Sequence, residues 1–122
     1  MINKVILVGN VGKDPEYRQT DTSELVKFPL ATSEKYKDQT HTEWHNIVIW
    51  GKLAGIVNQY VKKGQLLYLE GKIKTRSYDD ADGNKKYMTE IVCFSMQMLG
   101  KKEEPQNEFD RMVPPGNEDF KG

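Results

Sequence analysis

The chain has 122 residues, enough for one compact domain and little more. A hydrophobic fraction of 37% and a charged fraction of 30% fit a water-soluble protein, and apolar runs of four or five residues are too short to span a bilayer. Eighteen Lys and Arg balance eighteen Asp and Glu, a formal net charge of zero, so no partner is held by bulk charge alone and any nucleic-acid site must come from the distribution of the cations.

The first apolar run, Val5 to Val8, follows Met1-Ile2-Asn3-Lys4 too closely to be a signal-peptide core and has no small-residue cleavage site after it, so the protein is expected in the cytoplasm. From Asn3 to Val11 both parities are apolar, Val5, Leu7 and Val11 on one and Ile6 and Val8 on the other. Such a strand must be covered on both faces, by its own curled sheet or by another subunit. Gly9, Gly12 and Asp14-Pro15 end it. A second strand is expected over residues 24–33, with Val26, Phe28 and Leu30 on one face and Pro29 marking an edge or a bulge. Tyr36 to Thr42 is polar and reads as a loop. A third strand follows over residues 43–50, with Ile47 and Ile49 on one parity and Trp44, Val48 and Trp50 on the other.

Leu53, Ile56, Val57, Tyr60 and Val61 recur at helical spacing; Lys62 and Lys63 stand at the helix C-terminal end, with Gly64 as its cap. The fourth strand, residues 65–78, sets Leu67, Leu69 and Ile73 on its core parity and Lys72, Lys74, Arg76 and Tyr78 on the other. Gly71 marks a corner. A hairpin loop centred on Asp82-Gly83 leads to a fifth strand over residues 87–99, where the single cysteine, Cys93, reads as a buried thiol. Three strands, a short helix and two strands fit an all-β, five-stranded oligonucleotide-binding (OB) barrel with one short helix between strands 3 and 4, among several small barrels that share these elements. Residues 1–100 form this domain, with fourteen basic and twelve acidic side chains. Residues 101–122, with four basic and six acidic ones, read as a short flexible acidic tail.

Binders of unpaired strands stack bases on aromatic rings and run cations along the backbone path. Trp44 and Trp50 share a parity, so both rings face one side of the sheet while Ile47 and Ile49 supply the core. Tyr78 and Tyr36 extend the platform. The bland alternative is that the tryptophans are core. Lys72, Lys74 and Arg76 are candidate phosphate contacts, with Lys52, Lys62, Lys63, Lys85 and Lys86 as outer ones; the alternative for each is a solvated face. Three neutralised phosphates would give a salt dependence with a logarithmic slope of about 2. Other chemistry is poorly represented. His41 and His45 lack a third metal ligand, the acids around Gly83 miss the calcium-loop pattern, Gly9 to Lys13 is not a phosphate loop, and no nucleophilic triad is ordered in the chain. No catalytic residue, metal or cofactor is expected.

Seven segments, Asn3 to Glu16, Leu30 to Glu34, Thr42 to Asn46, Gly51 to Ala54, Tyr60 to Gly64, Glu70 to Arg76 and Met96 to Gly100, closely resemble the bacterial and phage single-stranded DNA-binding protein family, in order and at compatible spacing. The resemblance implies an OB barrel, usually homotetrameric, that coats single-stranded DNA in replication, recombination and repair. It matches Trp44, Trp50, Tyr36 and Tyr78 to the family's base-stacking aromatics and His45 to a position at the subunit interface, to which the two-sided first strand would contribute Val5 and Leu7. The family's tail ends in aspartates, proline and a final phenylalanine that recruit genome-maintenance proteins. Here Glu118, Asp119 and Phe120 are followed by two more residues, and the proline is missing before the ring. The rival reading from another class is an interaction module that scaffolds a complex and binds DNA weakly; retention of the aromatics counts against it.

Overall fold

In a computed structural model, which describes residues 1–99, the elements follow in the order β1 (Val5–Val11), β2 (Glu16–Gln19), β3 (Glu24–Tyr36), β4 (Gln39–Trp50), α1 (Lys52–Tyr60), β5 (Leu66–Asp79) and β6 (Lys85–Leu99). The strands form one sheet in the order β1-β5-β6-β4-β3-β2. Pairing of Asn10 and Val11 with Ala31 and Leu30 joins β1 to β3 and closes the sheet into a barrel. Among the described residues only β4 and β6 pair in parallel. The five long strands and the helix between the third and fourth of them are the expected OB arrangement. The short β2, paired along Glu24–Lys27, is an addition, and its Tyr17 donates a hydrogen bond to Glu24 at 2.9 Å and packs against the core.

Strand alternation sends Val26, Phe28, Leu30, Ile47, Ile49, Leu67, Leu69, Ile91 and Cys93 inward, where α1 adds Ala54 and Val57 and the residue after it adds Val61. Pro29 needs no free edge. Its carbonyl accepts from Gly12 at 2.8 Å, and its missing N–H points to the same side, where β3 changes neighbours from β2 to β1. Gly71 sits at the irregularity between β5 and β6, where an added Cβ would strike the Val92 carbonyl, so the corner admits no side chain.

Three expectations are corrected. Residues 36–42 are not a loop: β3 and β4 continue as a two-stranded arm that pairs Tyr36 with Gln39, turning through Lys37 and Asp38 at φ +52° and +66°. Both faces of the arm are wet, so it lacks the alternation that marks a half-buried strand. The helix ends at Tyr60, with Val61 as its cap, because Val61 turns extended to enter the core. Gly64 instead belongs to the turn into β5 and donates to the Val11 carbonyl at 2.7 Å, leaving Lys62 and Lys63 outside the last helical turn. Finally, Val5 and Leu7 are half-buried and packed against the core; the outward residues of β1 are Ile6 and Val8, 56% and 49% exposed.

Candidate nucleic-acid interface

Outward parity on β4 carries Trp44, Asn46, Val48 and Trp50. The two tryptophans are 59% and 50% exposed while Ile47 and Ile49 are buried, which removes the core reading of both rings. Six residues of strand hold them about 20 Å apart, so each ring meets its own stretch of any bound chain. The Trp44 ring lies over Gly12, where an added Cβ would collide with it, and beside Pro29. Outward parity on β5 carries Lys72, Lys74, Arg76 and Tyr78. Between the two walls runs β6, and its register sets Val92 against Val48 and Lys72, Glu90 against Lys74, Met88 against Arg76 and Lys86 against Tyr78.

Two adjoining depressions follow from this arrangement. One, of about 380 Å³, lies among Lys27, Trp50, Lys72, Lys74, Arg76 and Glu90; the other, of about 400 Å³, runs on past Asn46, Met88 and Lys13, and the two share Lys27, Val48 and Glu90. Together they make an open trough with Trp50 on one wall, a basic wall opposite and a floor on β6, and Trp44 stands on the same face of β4 just past the end lined by Asn46 and Pro29. Among the described residues Lys27, Lys72 and Lys74 make no ion pair, whereas Arg76 donates from Nε to Glu90 Oε1 at 3.2 Å.

The remaining sites fall unevenly around this trough. Tyr78, 46% exposed, continues the basic wall. Tyr36 stands at the tip of the β3–β4 arm on the parity of Thr32 and His45, not on that of Trp44, with the Lys37 ammonium 5.3 Å from its ring centre. Lys52 opens α1 two residues after Trp50. Lys63 is tied to the Lys13 end of the trough, its backbone N–H donating to Asp14 Oδ1 at 2.8 Å, with Lys62 beside it. Lys85 and Lys86 take opposite faces of the β5–β6 hairpin, and Lys86 lies 3.8 Å from Asp80, so they are not one patch. His45 shares a 2.9 Å hydrogen bond with Thr32 on the face away from the tryptophans. Glu118, Asp119 and Phe120 lie outside the described residues. Burial pushes the Cys93 thiol up to about 11, which leaves it protonated at neutral pH and unreactive. Among the described residues no group of three His, Cys, Asp or Glu side chains is placed to hold a metal ion, and no helix is long and apolar enough to cross a membrane.

Residues 2–99 match the model of the single-strand binding protein family. The chain belongs to that family. It is 56% identical over 109 residues to "Single-stranded DNA-binding protein 1" of Chlorobaculum tepidum, covering 84% of this chain and 67% of that one. It is 50% identical, over 83% of this chain and 68% of the relative, to the single-stranded DNA-binding protein of Bacteroides thetaiotaomicron. Among solved structures it is similar to the Plasmodium falciparum SSB complex with ssDNA, at 27% identity and a TM-score of 0.76 over 82% of this chain and 96% of that one.

Within this family member three trough residues lie outside a sequence reading centred on β4 and β5: Lys13, Lys27 and Glu90. Lys27 is legible, because it has the parity opposite to Val26 and Phe28 on a strand beside β4. Lys13 and Glu90 reach the trough only through barrel closure and the β4–β6 pairing, which no local pattern announces.

Proposed function

We infer that the protein binds single-stranded DNA without regard to sequence, and coats and protects it in replication, recombination and repair, as a binding protein and not an enzyme. The observation that carries this reading is the trough, where half-exposed Trp50 faces Lys72 and Lys74, which make no ion pair among the described residues, with half-exposed Trp44 on the same face of β4. Bases of an unpaired strand offer their π-faces to Trp44, Trp50 and Tyr78, whereas in a duplex those faces are hidden between neighbours. Each stacked base contributes roughly 1–3 kcal/mol. Phosphates follow Lys27, Lys72 and Lys74, with Lys13, Lys52, Lys62, Lys63 and Lys86 at the approaches. Tyr36 and Lys37 at the arm tip form a separate contact point for a strand that leaves the trough, and Lys85 serves the reverse face of its hairpin.

Self-association, as a homotetramer or a dimer, is supported by the outward face of β1. There Ile6 and Val8 stay exposed on the same face as Leu66 of the neighbouring β5. Ile6 and Val8 take the interface role on β1, with His45 at a second contact. The cytoplasm is the assigned compartment, and genome-maintenance proteins are the partners assigned to the tail around Phe120.

Intrinsic tryptophan fluorescence titrated with poly(dT) tests the central reading. Quenching is expected, with a logarithmic salt slope of about 2 if Lys27, Lys72 and Lys74 each neutralise one phosphate. A folded sample that shows no quenching at low salt, or that prefers duplex DNA, would overturn it. Light scattering reads the oligomer.

A further inference from the structure

Glu90 is the one charged side chain buried among the described residues, 6% exposed, and it lies where a DNA-binding protein would least be expected to keep a carboxylate. It is on the floor of the trough, common to both depressions and opposite Lys74 in the strand register. Its one ion-pair partner among the described residues is Arg76, whose Nε donates to Oε1 at 3.2 Å while Nη2 rests 3.7 Å from Met88 Sδ. The Arg76 side chain is 44% exposed and that of Glu90 8%.

A free guanidinium at this point would be the strongest phosphate ligand in the trough, because its planar fork grips two phosphate oxygens at once. A phosphate drawn to it would turn the backbone into the floor and swing the bases away from Trp44 and Trp50. A free carboxylate would repel the strand and would itself be costly to bury. Paired, the two groups cancel, while Lys27, Lys72 and Lys74 keep their charge around them.

We propose that Glu90 is a positioning residue: by holding Arg76 as a neutral pair on the trough floor, it keeps phosphates on the lysine rim and leaves the floor to bases. The proposal rests on the single-strand binding reading above. It assigns Arg76 to the base side of the groove and makes the salt dependence of binding smaller than a count of cations suggests.

Two variants test it by salt-dependent titration with labelled oligo(dT). Glu90→Gln keeps the shape and an acceptor for Arg76 Nε while removing the negative charge, so Arg76 becomes free to take a phosphate. The logarithmic salt slope is expected to steepen by about 0.7, and tryptophan quenching at saturation is expected to fall. The double variant Arg76→Met with Glu90→Met replaces the pair by apolar side chains of similar volume, a change that buried pairs commonly tolerate. Whatever its affinity, it is expected to keep the wild-type slope.

An unchanged slope in Glu90→Gln would overturn the proposal, as would a slope shallower by about 0.7 in the double variant, which would mean that Arg76 already holds a phosphate. A purely structural role for the pair would lower thermal stability in both variants and leave both slopes alone. If Glu90→Gln fails to fold, Glu90→Met, which likewise leaves Arg76 without its counter-charge, is expected to steepen the slope in the same way, and an unchanged slope there would overturn the proposal. A wild-type protein that does not bind oligo(dT) at all would remove the binding reading and this proposal with it. That result is distinct from normal wild-type binding with an unmoved slope.

Discussion

The two walls of the trough belong to one sheet yet work by different physics. The β4 wall presents Trp44, Asn46, Val48 and Trp50 and carries no charge; the β5 wall presents Lys72, Lys74 and Arg76 before it reaches its aromatic ring, Tyr78. Under the proposed function, stacking acts at contact and is nearly indifferent to salt, so the β4 wall would select an unpaired ligand. Ammonium groups act over about a Debye length, roughly 8 Å at physiological salt, so the β5 wall would gather and align the strand and weaken as salt rises. A formal net charge of zero is compatible with this proposed division, because the work of attraction would fall to a few lysines on one face.

Removing the aromatic wall should have the largest effect. Trp44→Ala with Trp50→Ala is expected to lose about 2–6 kcal/mol of binding, one stacked base per ring. The salt slope should stay as in the wild type and thermal stability should change little, because both rings are half exposed. Anisotropy of labelled oligo(dT) across salt concentrations, with thermal melts alongside, reads all three. A large loss of stability would return the rings to the core. Lys72→Ala with Lys74→Ala should do the reverse, lowering the slope by about 1.4 while leaving tryptophan quenching at low-salt saturation intact. Any variant that moves slope and saturation quenching together would show that the walls are not separable.

The β5 wall was the easier to foresee. Leu67 and Leu69 alternate with cations over a long run, and Asp82-Gly83 marks its turn: Asp80 caps that loop by accepting from the Asp82 and Asn84 N–H groups, each at 2.9 Å. The tryptophan wall was legible from parity alone, since Ile47 and Ile49 already filled the inward positions. Two features were hidden for physical reasons. The arm beyond Trp44 is polar on both faces and turns at Lys37-Asp38 without glycine, so it gives neither an alternation nor a turn signal. The floor depends on the parallel pairing of β4 with β6, a contact between segments more than forty residues apart, and Glu90 looks in the sequence like any solvated acid in a strand. Parity on β1 was ambiguous because both of its faces are apolar; only closure against β3 and β5 shows that Leu7 goes in and Ile6 out.

The smallest expected effect lies at the foot of the basic wall, where the outward face of β5 continues as Tyr68 and Glu70 beside β1. The Tyr68 hydroxyl donates to Glu70 Oε2, which holds the Glu70 carboxyl below its usual range against a partial loss of hydration, and Lys4, 3.5 Å away, adds to the lowering. The same hydrogen bond raises the Tyr68 hydroxyl above its ordinary 10.0. A carboxyl lowered on folding stabilises the fold above its unfolded value of 4.5, and that share is lost as pH falls through the folded value. A phenol raised on folding stabilises it below 10.0, and that share is lost as pH rises through the folded value. Between these limits the hydrogen bond contributes fully. Tyr68→Phe should therefore lower the thermal midpoint slightly at pH 7 and flatten its fall on both the acid and the alkaline side. The salt slope of DNA binding should not move, because neither group reaches the trough. Parallel acid limbs in the variant and the wild type would show that Glu70 draws its lowered value from Lys4 alone, and Lys4→Met would then be the substitution that flattens the curve.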